Sequence, residues 1–168
     1  MPQTPPAWVP GGTYFFTVSL SDRGSDLLTR HIDLLRRATD LTRLQHPLRI
    51  NAWVVLPDHM HCLWTLPQGD NDPDCRWTLL KHQFTRHLPL RATFGRRRRL
   101  GVWQRHHEQH RIRDAEDFRR HYDAIHLDPV KHGWARRVGD WPHSSFHHAV
   151  RAGIYPPDWP GEAGFDLE

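Results

Sequence analysis

Cysteine is scarce in this chain of 168 residues, with Cys62 and Cys75 the only two. Two thiols cannot make a disulfide framework and form no zinc-ligand pattern, so disulfide-stapled scaffolds are excluded and neither cysteine is given a role. Long apolar runs are also missing. No stretch approaches the roughly 18 residues needed to cross a bilayer. The proline-rich start MPQTPPAWVPGG lacks the basic and apolar regions of a secretory signal, so a cytoplasmic protein with no membrane partner is expected. Hydrophobic residues make up only 38 % of the chain against 25 % charged. Even so, 8 Trp, 7 Phe and 3 Tyr supply the bulk for one core, and the length suits one domain.

Lysine is nearly absent. Of 23 basic residues only Lys81 and Lys131 are lysines, so arginine carries the net charge of +4. Arginine forks onto phosphates and stacks on bases, which favours a nucleic-acid partner. A GC-rich genome also raises arginine over lysine, and composition alone does not separate the two. Of fifteen histidines, eleven crowd into 59–61, 106–110, 121–132 and 143–148. Most are expected to be solvated or hydrogen-bonded, so only geometry can single out ligands among them.

Gly11-Gly12 leads into TYFFTVSL (13–20), a strand by composition. Residues 26–45 carry Leu27, Leu28, Ile32, Leu35, Ala38, Thr39 and Thr42 at spacings of three and four, which predicts one amphipathic helix ended by His46-Pro47. RINAWVVL (49–56) and HMHCLWTL (59–66), joined by Pro57-Asp58, predict a β-hairpin. The loop QGDNDPD follows, and Trp77, Leu80, Phe84 and Leu88 mark a second helix over 76–88. Arg96, Arg97, Arg98 and Arg99 read as a mobile basic loop. Residues 102–112 read as a strand. Asp114 can cap a helix that runs from Ala115 towards Asp128 and is stopped by Pro129. From Trp134 on, the proline-rich chain reads as an irregular tail wrapping the surface. The order strand, helix, strand, strand, helix, strand, helix predicts an α+β, ferredoxin-like architecture with helices packed on a central antiparallel sheet.

Residues i and i+2 of a strand share a face, so His59 and His61 in Pro57-Asp58-His59-Met60-His61 converge and can share a metal. Alone, the pair is a weak signal and reads more readily as two hydrogen-bonded histidines. On the third helix Phe118, Tyr122 and Ile125 form the apolar stripe, while Asp117, Arg120, His121, Ala124 and Asp128 fall on a polar face. Imidazoles with one carboxylate suit Mg²⁺, Mn²⁺ or Zn²⁺ and leave room for phosphate oxygens. The alternative is an exposed helix face.

In order and spacing, GGTYFFTVSL, NAWVVLPDHMHCLWTLP, KHQFTRH, VWQRHHEQHRIRDAEDFRRHYDAIHLDPVKHGW and DWPHSSFHHAVRAGIYPPDW resemble the REP-associated tyrosine transposases. These are single-domain relatives of the transposases of small single-strand insertion sequences, and the resemblance covers nearly the whole chain. It implies an HUH nuclease fold, with residues 1–150 as the catalytic domain and 151–168 as an irregular C-terminal tail. It also implies a tyrosine that attacks a DNA phosphodiester with Mg²⁺ or Mn²⁺ bound, giving a 5′-phosphotyrosine. The expected partner is a single-stranded repetitive extragenic palindrome hairpin with a 5′ tetranucleotide, and the expected state is a monomer.

Matched to the family, the metal ligands fall on His59, His61 and Asp128, the last an Asn or Gln in relatives. The family pattern His-x-Asp-Tyr-Ile-x-x-Asn-Pro-Val-Lys-His-Gly is met here by His121-Tyr122-Asp123-Ala124-Ile125-His126-Leu127-Asp128-Pro129-Val130-Lys131-His132-Gly133. Alanine stands at the nucleophile position. Three explanations compete: an engineered tyrosine-to-alanine change, natural loss of nicking, or replacement by Tyr122, which lies about 200° around the helix on the core stripe. Engineering is the expectation, since the rest of the site is intact and the closing Leu167-Glu168 resembles a pair left by a vector. The rival reading is a hairpin-binding protein that has naturally lost nicking. By chemical type, Arg23, Arg96, Arg97, Arg98, Arg99, Trp103, Arg105, Lys131 and His132 are the candidates for contact with DNA.

Overall fold

The alternation of side chains along the first strand sorts the whole molecule into two layers. In the computed structural model, which describes residues 12–89 and 101–160, β1 (Thr13–Ser19) sends Tyr14, Phe16 and Val18 to one layer and Phe15 to the other. It lies inside a four-stranded sheet with β2 (Arg49–Val55), β3 (His59–Thr65) and β4 (Glu108–Arg111). The strand order is β2-β3-β1-β4 and every pairing is antiparallel, which is the ferredoxin-like arrangement. The β2–β3 hairpin closes where Leu56 N–H donates to the His59 carbonyl at 2.8 Å.

On one side pack α1 (Leu27–Arg30), α2 (Ile32–Gln45) and α3 (Pro73–His87), which bury Leu28, Leu35, Trp77, Leu80 and Phe84 against Phe16, Val18, Met60 and Trp64. Trp64 and Trp77 stack at 4.1 Å, welding α3 to β3. The other side is covered by α4 (Ala115–Lys131) and α5 (Phe146–Arg151), whose Phe118, Tyr122, Ile125, Phe146 and Ala149 meet Ala52, Val54 and Leu63. No described helix is long and apolar enough to cross a membrane.

Several boundaries differ from those expected. The helix over 26–45 is two: at His31 the backbone leaves the helical region (φ −113°, ψ 39°), and α1 is instead tied to the hairpin turn by Leu28 N–H to the Pro57 carbonyl at 3.2 Å. The second helix starts three residues early, because Asp72 caps Cys75 N–H at 3.1 Å and Pro73 opens the first turn, where its missing N–H costs nothing. Pro129 does not stop α4. Gly133 does, in the left-handed region at φ +77°, with Trp134 N–H on the Pro129 carbonyl at 2.8 Å and Gly133 N–H on the Val130 carbonyl at 3.0 Å. The strand over 102–112 shrinks to β4. Trp103 bridges Leu20 and Glu108 pairs with Thr17, so the four residues 104–107 on one strand stand opposite the two residues 18–19 on the other, and the excess bulges out at Arg105-His106-His107. The segment after Trp134 is not irregular throughout: it holds a 3₁₀ turn (Val138–Asp140) and α5, and Tyr155 is buried in the α4 layer. Arg96 to Arg99 lie outside the described residues.

Candidate metal centre

The first and third residues of β3 face α4, and α4 brings a carboxylate to meet them. Asp128 Oδ2 lies 3.3 Å from His59 Nε2 and 3.2 Å from His61 Nε2, and the three side chains offer ligand atoms all within 4.8 Å of one another. The far nitrogen of each ring is also held. Asp58 Oδ1 is 2.8 Å from His59 Nδ1, with Arg23 Nε gripping the other oxygen of Asp58 at 2.5 Å, and Thr17 Oγ1 is 2.8 Å from His61 Nδ1. A ring fixed through one nitrogen presents the other in a set direction, which is how outer partners orient metal-binding histidines.

Charge follows geometry. Burial disfavours ionised Asp128, but hydrogen bonds from His59 and His61 outweigh it and hold the carboxyl well below its ordinary range. Burial likewise disfavours protonated His59, yet Asp128 and Asp58 win and raise it. The site therefore keeps an anionic carboxylate facing two imidazoles. Two imidazole nitrogens and one carboxylate oxygen are a donor set that fits a borderline or hard divalent cation with positions to spare. His132, expected among the contacts to DNA, stands beside this group. Its Nε2 is 3.3 Å from Asp128 Oδ1, because the helix continues past Pro129 and places it four residues after Asp128.

Ala124 is exposed on α4, one turn before Asp128 and on the same face. Tyr122 is 2 % exposed among Phe118, His126 and Tyr155, and burial pushes its hydroxyl pKa up to about 12.

His121 does not join His59 and His61. It forms a second group with His110 and Asp117, separated from the first by Phe15, whose ring centroid is 5.5 Å from His61 and 4.8 Å from His121. Asp117, read on the polar face of this helix, is 1 % exposed. Its carboxylate takes His110 Nε2 at 2.7 Å and Arg113 N–H at 3.0 Å, and these outweigh burial and lower its pKa to about 2. This group latches β4 to the first turn of α4.

The remaining candidates are spread apart. Arg23 reaches the site only through Asp58, and Lys131 is exposed at the end of α4. Trp103 packs on the α2–α3 side, its N–H donating to Thr85 Oγ1 at 3.0 Å and its ring edge-on to Phe84 at 5.4 Å. Arg105 is exposed in the bulge before β4. Asp58 and Thr17 escaped the sequence reading. Asp58 was visible only as a turn residue, and Thr17 meets His61 through a pairing 44 residues apart in the chain.

A ferredoxin-like sheet that offers a His-Met-His pair to a helix carboxylate defines the HUH class of fold. No family model matches the chain, but proteins of known family do. A REP-associated tyrosine transposase of Escherichia coli (strain K12) is 47 % identical over 155 residues, 92 % of this chain and 88 % of that protein. A relative in Haemophilus influenzae (strain ATCC 51907 / DSM 11121 / KW20 / Rd) is 45 % identical over 163 residues, covering 94 % and 93 %. The solved structure of a REP-associated tyrosine transposase bound to a REP hairpin is similar at TM-score 0.80 and 46 % identity, over 96 % of this chain and 93 % of that one. The chain belongs to the REP-associated tyrosine transposases, a family of DNA-processing enzymes.

Proposed function

We propose that this chain binds single-stranded DNA hairpins with an unpaired 5′ foot, holds Mg²⁺ or Mn²⁺ through His59, His61 and Asp128, and does not cut, because position 124 lacks the attacking oxygen. One observation carries the reading: Ala124 is solvent-exposed one helical turn from Asp128, where a tyrosine side chain would reach over the metal ligands. The similar hairpin-bound structure supports the choice of partner. The cation, when bound, withdraws charge from a phosphate and favours attack on it. Asp58 and Thr17 aim the imidazoles, Asp128 supplies the anionic ligand, and the exposed Lys131 and Arg105 are suited to phosphate contacts. A tyrosine at position 124 would form a phosphotyrosine ester and release a 3′-hydroxyl, and reversal with another 3′-hydroxyl would join strands. Alanine leaves binding intact and removes both steps, so the chain as it stands also fits a hairpin-binding protein without nicking.

Two titrations test this reading. Calorimetry with Mn²⁺ should lose most of its heat in a His59→Ala, His61→Ala double variant, and unchanged heat would remove the metal site. A labelled hairpin with an unpaired foot should bind more tightly than blunt duplex of the same length, and its affinity should fall as salt rises. Equal affinity for the duplex would count against the partner assigned.

A further inference from the structure

We propose that the groove between α3 and the bulge ahead of β4 is a second nucleotide-binding site, on the opposite side of the sheet from His59 and His61. The proposal rests on the DNA reading above. Gln109 pairs with Phe16, whose ring belongs to the α2–α3 layer, so the groove opens on that layer, whereas His61 faces Asp128 of α4 on the other. Its walls are Asp74, Trp77 and Lys81 from α3, with Arg105 and His107 from the bulge, and they enclose an open cavity of about 450 Å³. Ligand pockets for small molecules start at roughly 300 Å³, so one nucleotide fits.

The chemistry of the walls selects that ligand. Lys81 is half-buried, its ammonium sits 6.0 Å over the Trp103 ring, and among the described residues no carboxylate lies within ion-pairing distance of it. The one carboxylate of the groove, Asp74, is turned to His107 Nε2 at 3.5 Å. Arg105 is exposed and has no ion-pair partner among the described residues. Two cations with no ion-pair partner among the described residues, facing one cavity, call for an anion, and a phosphate meets both. Beside them stands a wall formed by the partly exposed His107 ring, backed by the buried rings of Phe16 at 5.7 Å and Trp77 at 6.0 Å. A base can lie against that wall with its edge towards Gln109 and Asp74. Only an unpaired base can enter, since a stacked, paired one keeps its face and edge inside the duplex.

A hairpin carrying 5-iodouracil at successive positions of an unpaired 5′ foot, irradiated with the full chain, tests the site. Crosslinks are expected in the peptides containing residues 74–81 or 105–109. Lys81→Gln, which loses a contact to phosphate, and Gln109→Ala, which loses a hydrogen bond to a base edge, should each weaken binding of the footed hairpin about tenfold and should not change binding of the same hairpin without a foot. Displacement of the foot by free deoxynucleoside monophosphate would assign the groove to the free nucleotide, and no displacement assigns it to the strand. Both results keep it a nucleotide site. Crosslinks confined to α4 peptides, with both variants natively folded by circular dichroism and binding like the parent, would overturn the groove and leave the proposed function standing. A parent chain that binds no hairpin at all would remove both.

Discussion

His59 and His61 could be paired from spacing alone, because the period of a strand is fixed by covalent geometry. The residues that aim them could not. Asp58 and Thr17 act through single side-chain atoms brought together by the hairpin turn and by the β1–β3 register, and local pattern encodes neither. Partners that fix a ligand ring are worth roughly 10- to 100-fold in metal affinity. Asp58→Ala and Thr17→Val should therefore each weaken Mn²⁺ binding about tenfold in calorimetry with little change in secondary structure. Affinity equal to the parent's would show that the rings need no outside support. Asp128 was placed by helix periodicity, but His132 beside it was hidden, because the sequence reading let Pro129 end the helix and so lost the turn that carries His132 back to the carboxylate.

At the scale of elements, hydrophobic periodicity located the sheet and its long helices, and the errors gather where a polar side chain or a turn overrides it. Arg76 is the clearest case. It lies in the helical register of α3 as if solvated, yet it is 1 % exposed and its guanidinium donates to the His46, Pro47 and Asp72 carbonyls and to Asp70 Oδ2, at 2.7–3.2 Å. One planar fork thus binds the loop before β2 to the start of α3, which nothing local in the sequence announces. Arg76→Ala should cost roughly 2–4 kcal/mol in urea unfolding, since four part-buried hydrogen bonds and the packing of a buried side chain are lost together. Arg76→Lys should recover little of that, because an ammonium cannot span the same acceptors. A loss below about 0.5 kcal/mol in Arg76→Ala, the range of ordinary surface changes, would contradict the clamp.

Across the whole molecule, the α4 layer is closed by a buried polar chain. His126 Nε2 meets Ser145 Oγ at 2.7 Å and its Nδ1 meets Tyr155 Oη at 3.3 Å, while the Tyr155 hydroxyl donates to Asp123 and the Tyr155 ring stacks on Trp159 at 4.2 Å. The proline pairs around Tyr155 suggested a surface wrap, and this packing was illegible because its partners lie on α4 and α5. Burial pushes the His126 pKa down to about 3 from its ordinary 6.5. Between those values the unfolded chain binds a proton that the folded chain refuses, so this histidine makes the fold less stable as pH falls from 6.5 towards 3, by on the order of a few kcal/mol in all. His126→Gln should flatten the pH dependence of urea stability between pH 6.5 and 4, and an unchanged slope would mean that the ring takes up a proton in place. The central claim is that α4 carries a nicking site whose nucleophile position is filled by alanine, and formation of a covalent protein–DNA adduct, read as a denaturant-resistant band, tests it most directly. With a footed hairpin and Mg²⁺ or Mn²⁺, the chain as it stands should give no adduct, and Ala124→Tyr should give one that persists when Tyr122→Phe is added. An adduct from the unaltered chain, or none from an Ala124→Tyr protein that still binds metal and hairpin, would contradict it.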